Sequence, residues 1–167
     1  MKPLLNYTTK IEVSKTIMEI QEQLVTHGAK SIMSNYTDTG SIEALSFTII
    51  TAEGKVIGIR LPCDPNPVLK VMQSQIKDRW HTKGTIPASF VNKEQALRTA
   101  WRIVKDWVEA QMALLETQMV KMEQVFLPYA IVRDGKTLFE SMKSGNFALL
   151  DAKVQSSHAE EGQLVED

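Results

Sequence analysis

Apolar positions recur along this chain with two different periods, and the switches between them divide it into helices and strands. Val13, Ile17, Ile20 and Leu24 fall at helical intervals and make one apolar stripe. Ser14 offers that helix an N-cap, Thr16 and Glu19 have capping-box spacing, and Gly28 is placed to close it. The period then drops to two. Ala29–Tyr36 reads as a strand that ends at the turn signal Asp38-Thr39-Gly40-Ser41. Ala44–Thr51 follows, with Leu45, Phe47 and Ile49 on one face and Ala44, Ser46 and Thr48 on the other. Glu53-Gly54 forms a hairpin turn into Lys55–Leu61, where Ile57, Ile59 and Leu61 alternate. Such alternation marks a sheet covered on one face and wetter on the other. Upstream, Tyr7–Val13 is rich in β-branched residues and reads as a further strand. The pattern predicts an α+β fold, a β-α-β-β-β antiparallel sheet with helices on one face and a long C-terminal helix.

Asn66-Pro67 reads as the start of a second helix, striped by Leu69, Met72 and Ile76. His81–Phe90 carries Gly84 and Pro87 and reads as a loop. Asn92 and Gln95, at capping-box spacing, open the main helix, expected from Lys93 to about Met122. It bears two stripes. Leu97, Trp101, Val104, Val108 and Leu115 form one; Ala96, Ala100, Ile103, Trp107, Ala110 and Leu114 form the other. A helix striped twice is buried on more than one side. The second side needs either the C-terminal segment or another copy of the chain, and the expectation is a homo-oligomer paired through this helix. Pro128 breaks the pattern, Asp134-Gly135 turns the chain, and Thr137 with Glu140 opens a last short helix through Leu138, Phe139 and Met142. Beyond Asp151 the chain is polar and acidic. The expected organisation is one domain over residues 1–150 and a disordered acidic tail over 151–167.

Composition narrows the picture. A chain of 167 residues with 43% hydrophobic residues suits one domain with one core. A net charge of −1 provides no global attraction to nucleic acid or membrane, so any electrostatic interaction must be local. Cys63 is the single cysteine, which excludes an intramolecular disulfide and fits a reducing cytoplasm. No stretch approaches the roughly 18 apolar residues of a membrane span, and the N-terminus lacks the apolar run of a signal peptide.

Locally, the charge is uneven. Between Leu69 and Asp106 stand Lys70, Lys77, Arg79, Lys83, Lys93, Arg98, Arg102 and Lys105 against Asp78, Glu94 and Asp106, an excess of five positive charges. Arg98, Arg102 and Lys105 are spaced i, i+4, i+7 and share a helix face. Lys77 and Arg79 flank the region of Trp80, a candidate for stacking on a base. Lys77, Arg79, Trp80, Arg98, Arg102 and Lys105 are thus the candidate ligand-binding residues, for the phosphates and bases of a nucleic acid or nucleotide. Trp101 and Trp107 lie in separate stripes and read as core. Cys63 has no histidine near it in sequence, no Cys or His pair has metal-ligand spacing, and no glycine-rich phosphate loop follows any strand. The expectation is a non-enzymatic protein without catalytic residues, metal or cofactor.

The segment Ala100-Trp101-Arg102-Ile103-Val104-Lys105-Asp106-Trp107-Val108-Glu109-Ala110-Gln111, followed by Val125-Phe126-Leu127-Pro128-Tyr129, and the opening Tyr7-Thr8-Thr9-Lys10-Ile11 resemble a family of tailed-bacteriophage and prophage proteins with no assigned activity. The resemblance spans most of Tyr7–Met142. It implies a phage or prophage setting in a bacterial cytoplasm, and carries no functional residues across. Two jobs suit that setting. One is an accessory protein of phage replication or recombination that binds nucleic acid through a basic helical face. The other is an anti-defence protein that inhibits a host immune system, for example by sequestering a nucleotide second messenger. An interaction module with no ligand is the third alternative.

Overall fold

The computed structural model describes residues 2–76 and 85–150. Helix and strand are mixed. The elements are α1 (Val13–Thr26), β1 (Ser31–Tyr36), β2 (Ile42–Ile50), β3 (Val56–Arg60), α2 (Pro65–Ser74), α3 (Lys93–Glu116), α4 (Met122–Phe126) and α5 (Leu138–Ser144). The three strands form an antiparallel meander in the order β1-β2-β3. Its register follows the sequence alternation, with Phe47 standing between Ile32 on β1 and Ile59 on β3. Gly54, at φ +80°, makes the β2–β3 turn in a conformation that side chains resist.

Helices α1 and α3 lie on the inner face of this sheet. Leu45, Phe47, Ile49, Ile59 and Leu61 meet Ile17, Ile20 and Leu24 of α1 and Trp101, Val104, Val108 and Met112 of α3 in one core. Burying each such side chain contributes about 1.5–3 kcal/mol against chain entropy, so the stripe on α1 is what fastens that helix down. A smaller core, Met72, Ile86 and Ala96, joins α2 to the first turn of α3. The outer face of the sheet stays open at Met33, Ile50 and Val56.

The strand expected over Tyr7–Val13 does not form. Residues 9–12 run without regular structure into α1, and the element order begins with that helix. A strand needs a neighbour to satisfy its backbone, and here side chains from the helices do so instead. Gln95 Nε2 donates to the carbonyls of Tyr7 and Thr9, each at 2.8 Å. The Leu4 amide donates to Gln75 Oε1 at 2.9 Å, and Asn6 Nδ2 to Asp106 Oδ2 at 2.7 Å. The lead is strapped along α3 rather than paired in the sheet.

Several helix ends also differ from expectation. Helix α1 starts at Val13 behind Glu12, with no side-chain cap, because Thr16 is buried and Glu19 turns to α3. Asp64, not Asn66, caps α2: its Oδ1 accepts from the Asn66 amide at 2.9 Å and places Pro65 in the first turn. Asn92 caps α3 through the Gln95 amide at 2.8 Å. Helix α3 stops at Glu116 rather than near Met122, because Gln118 takes a left-handed φ of 58°. The Thr137–Glu140 capping box of α5 is present in full. The Thr137 amide donating to Glu140, and then the Thr137 hydroxyl, hold that carboxyl below its ordinary value. The acidic tail over 151–167 lies outside the described residues.

Beyond α3 the chain doubles back. Helix α4 and the turn Leu127–Tyr129 place Phe126 against Phe47 of the sheet at 5.2 Å between ring centres, and against Trp107 of α3 at 5.5 Å. Tyr129 meets the same indole at 5.4 Å. Ala130 then bridges Ile59, so the returning segment touches the free edge of β3. The pairing of two copies through α3 required the second stripe to be bare. Its Trp107 is covered by the chain's own C-terminal segment and Ala100 is buried; only Ala110 and Leu114, at the far end, are exposed.

Candidate nucleic-acid interface

The α3 face expected to meet phosphates is built as its spacing implies, but its cations are already engaged. Arg98 pairs with Glu94 one turn back and lies 3.6 Å from Glu12, at the entry to α1. Arg102 reaches across to Glu19 of α1. Lys105 meets Glu109 at 2.6 Å and Asp106 at 3.7 Å. Five carboxylates surround three cations, and the three basic side chains are only 13–18% exposed. The three cations share one helix face, and of their ion pairs Arg102–Glu19 ties α3 to α1. A phosphate arriving there would meet carboxylates, and each cation freed to bind it would leave one or more of them unpaired.

The remaining candidates, Lys77, Arg79 and Trp80, lie outside the described residues, as do His81 and Lys83. The residues on either side of them are fixed. Ile76 bridges Ile86, and the amides of Thr85 and Ile86 both donate to the Gln75 carbonyl, at 3.0 and 2.9 Å. Ile76 and Ile86 thus stand side by side.

Trp101 is fully buried, as its stripe implied, but its indole Nε1 has no hydrogen-bond partner among the described residues. It forms part of the lining of a cleft of about 500 Å3 between the β1–β2 turn, the β3–α2 connection and the first half of α3. Sequence reading missed this cleft. Its one legible signal was Lys93, Leu97 and Trp101 at i, i+4, i+8, a stripe running from solvent to core.

Cys63 also lines this cleft. Burial, and then the neighbouring charge of Asp64, push its thiol up to about 12, so the native protein carries a protonated, poorly nucleophilic sulfur. Native protein is expected to resist iodoacetamide at about pH 8 and to label on unfolding; fast labelling of the native state would mean that the thiolate is accessible. Asp64 is the α2 cap, and Glu53 is held low by the Thr51 hydroxyl beside it. Among the described residues, no three His, Cys, Asp or Glu side chains gather where a metal could sit, and no helix is long and apolar enough to cross a membrane.

In comparisons with known proteins, no family model, no curated protein and no solved structure matches this chain.

Proposed function

We propose that this chain is a non-enzymatic accessory protein that binds nucleic acid, in the phage or prophage setting its sequence resemblance implies, and that Lys77–Gly84 makes the contact rather than the α3 face. The ion pairs of α3 carry this reading. With Arg98, Arg102 and Lys105 matched by carboxylates, the densest remaining positive charge is the stretch bearing Lys77, Arg79 and Lys83 against Asp78, with Trp80 and His81 among them and Lys70 and Lys93 to either side in sequence. Cations beside an aromatic suit a phosphate backbone with a base stacking nearby. The closed neck at Ile76 and Ile86 supports the reading, because it holds the two ends of that stretch at one site.

Fluorescence anisotropy with single- and double-stranded oligonucleotides across a salt series tests it. Replacing Lys77, Arg79 and Lys83 together by alanine is expected to weaken binding and flatten its salt dependence by about one unit of slope per lost contact. Replacing Arg98 alone is expected to leave the slope unchanged. Failure of the native protein to bind any oligonucleotide would end the reading, and a slope that followed Arg98 instead would return the interface to α3.

A second reading, an anti-defence protein that inhibits a host immune factor by direct contact, is favoured by the outer face of the sheet. Ile50 and Val56 are cross-strand partners there and both are exposed, as is Met33 on the edge strand β1. Exposed apolar side chains grouped on one face are what a protein partner covers. Val56→Lys would disturb that contact and leave oligonucleotide binding intact.

A further inference from the structure

The backbone along the outer edge of β1 has no part in either reading. We propose that two copies of this chain pair antiparallel through β1, about a two-fold axis at Ser34, and join their three-stranded sheets into one. The direction of the backbone groups comes first. The Leu61 amide donates to the Leu45 carbonyl at 2.9 Å, so Leu45, Phe47 and Ile49 turn their backbone groups to β3. Ala44, Ser46 and Thr48 alternate with them and face β1, and the Thr48 carbonyl accepts from the Lys30 amide at 2.9 Å. Their partners Ser31, Met33 and Asn35 are thereby committed to β2, as is Thr37, whose amide donates to the Ser41 carbonyl at 2.8 Å. Ile32, Ser34 and Tyr36 lie between these and point their N–H and C=O groups away from the sheet. Among the described residues, no hydrogen bond from another element reaches those groups. Natural edges are blunted by charges, proline or bulges. Strand β1 carries no charge and no proline, and its register shift with β2 comes from the extra residue Glu43 on β2.

A second copy fits this edge in one register. Outward groups must meet outward groups, and centring the pair on Ser34 sets Ile32 opposite Tyr36 of the partner copy and Ser34 opposite itself. Each of these pairs then exchanges both of its hydrogen bonds. A slip in either direction leaves Ile32 or Tyr36 outside the match. The side chains agree with the backbone. Tyr36 is 64% exposed, on the face from which Ile32 packs against the main core. In the pair its ring covers Ile32 of the partner copy, an aromatic and β-branched couple of the kind that stabilises paired strands. Just beyond the two ends of the strand, the same register brings Lys30 opposite Asp38 of the partner copy, twice by symmetry. Both residues are exposed, and neither has an ion-pair partner among the described residues. The backbone match and the charge match are independent, and both select this pairing.

Sedimentation equilibrium of the full chain tests it. An edge pairing buries less than a standard interface, so the expected dimer is weak, with a Kd of about 1–100 μM. Ser34→Pro removes the outward amide at the axis, a position where an edge strand tolerates proline, and is expected to leave a folded monomer. Lys30→Asp and Asp38→Lys each set like charges opposite one another and are expected to weaken the dimer about tenfold. Combining the two restores opposite charges and is expected to bring Kd back to within about threefold of native. Should Ser34→Pro fail to fold, the charge reversals, both at exposed positions, decide the matter alone. A single species of 18.8 kDa up to about 500 μM overturns the proposal. So does a dimer that the single charge reversals leave unchanged, or one that the double reversal fails to restore.

Discussion

Phe126→Ala is expected to cost about 3–5 kcal/mol, a large part of the roughly 5–15 kcal/mol that holds a domain of this size. Phe126 is fully buried although it sits in a five-residue helix that could not persist alone. Its ring stands edge-on to Phe47 of the sheet and to Trp107 of α3, with interplanar angles of 86° in both pairs. Truncation therefore removes the transfer free energy of a whole ring, opens a cavity between sheet and helix, and loses two aromatic contacts worth about 0.5–1.5 kcal/mol each. It also uncovers part of the Trp107 indole. Urea denaturation measures the loss, and light scattering compares the association of the variant with that of the native chain. Phe126→Leu, which keeps most of the volume, is expected to lose less than half as much. A loss below about 1 kcal/mol for the alanine variant would mean that the C-terminal segment does not close the core.

The sheet and the two packed helices were legible because each needs only local periodicity. Leu45, Phe47 and Ile49 can face a core in one register alone, and a slip by one residue would turn all of them to solvent. The α1 stripe is equally constrained. What could not be read was which partner each surface takes. Two stripes on α3 announced two neighbours, yet nothing in the spacing of Trp107 distinguishes a second chain from Phe126 of the same one. The choice depends on where the chain reverses, and that is set by Gln118 in a left-handed conformation that its residue type does not advertise.

The candidate site failed to resolve for a related reason. Arg98, Arg102 and Lys105 were placed on one face correctly, but a cation's availability depends on residues distant in sequence. Glu19 meets Arg102 from another helix, and Glu12 approaches Arg98 from the connection before that helix. Local charge counts see Glu94 and Asp106 and miss those two. The orphaned Nε1 of Trp101 is hidden in the same way, since a tryptophan at helical spacing looks identical whether or not its N–H has found an acceptor.

Gln95 shows how a correct motif can conceal a larger role, and its replacement is expected to have the second large effect. Its position three residues after Asn92 suggested a capping box, and its amide does donate to the Asn92 side chain. Its own side chain does not reach back to the cap. It is buried, and its Nε2 spends both hydrogens on the carbonyls of Tyr7 and Thr9. Gln95→Leu keeps bulk and helix propensity but strands two carbonyls, at about 1–3 kcal/mol for each that stays buried. The lead can peel away to rehydrate them, which would give up the packing of Leu4 and Tyr7 on the small core beside α2. The expected loss is about 2–4 kcal/mol, accompanied by rapid amide exchange over residues 4–12 while the sheet stays protected. Gln95→Glu sharpens the test. A carboxylate presents only acceptors to two carbonyl oxygens, so this variant should be worse than leucine near neutral pH. It should recover in part as the pH falls, because a protonated carboxyl can donate to one of them. If Gln95→Glu matched the native protein at neutral pH, the strap would not be what fixes the lead, and the absence of a strand over Tyr7–Val13 would need another cause.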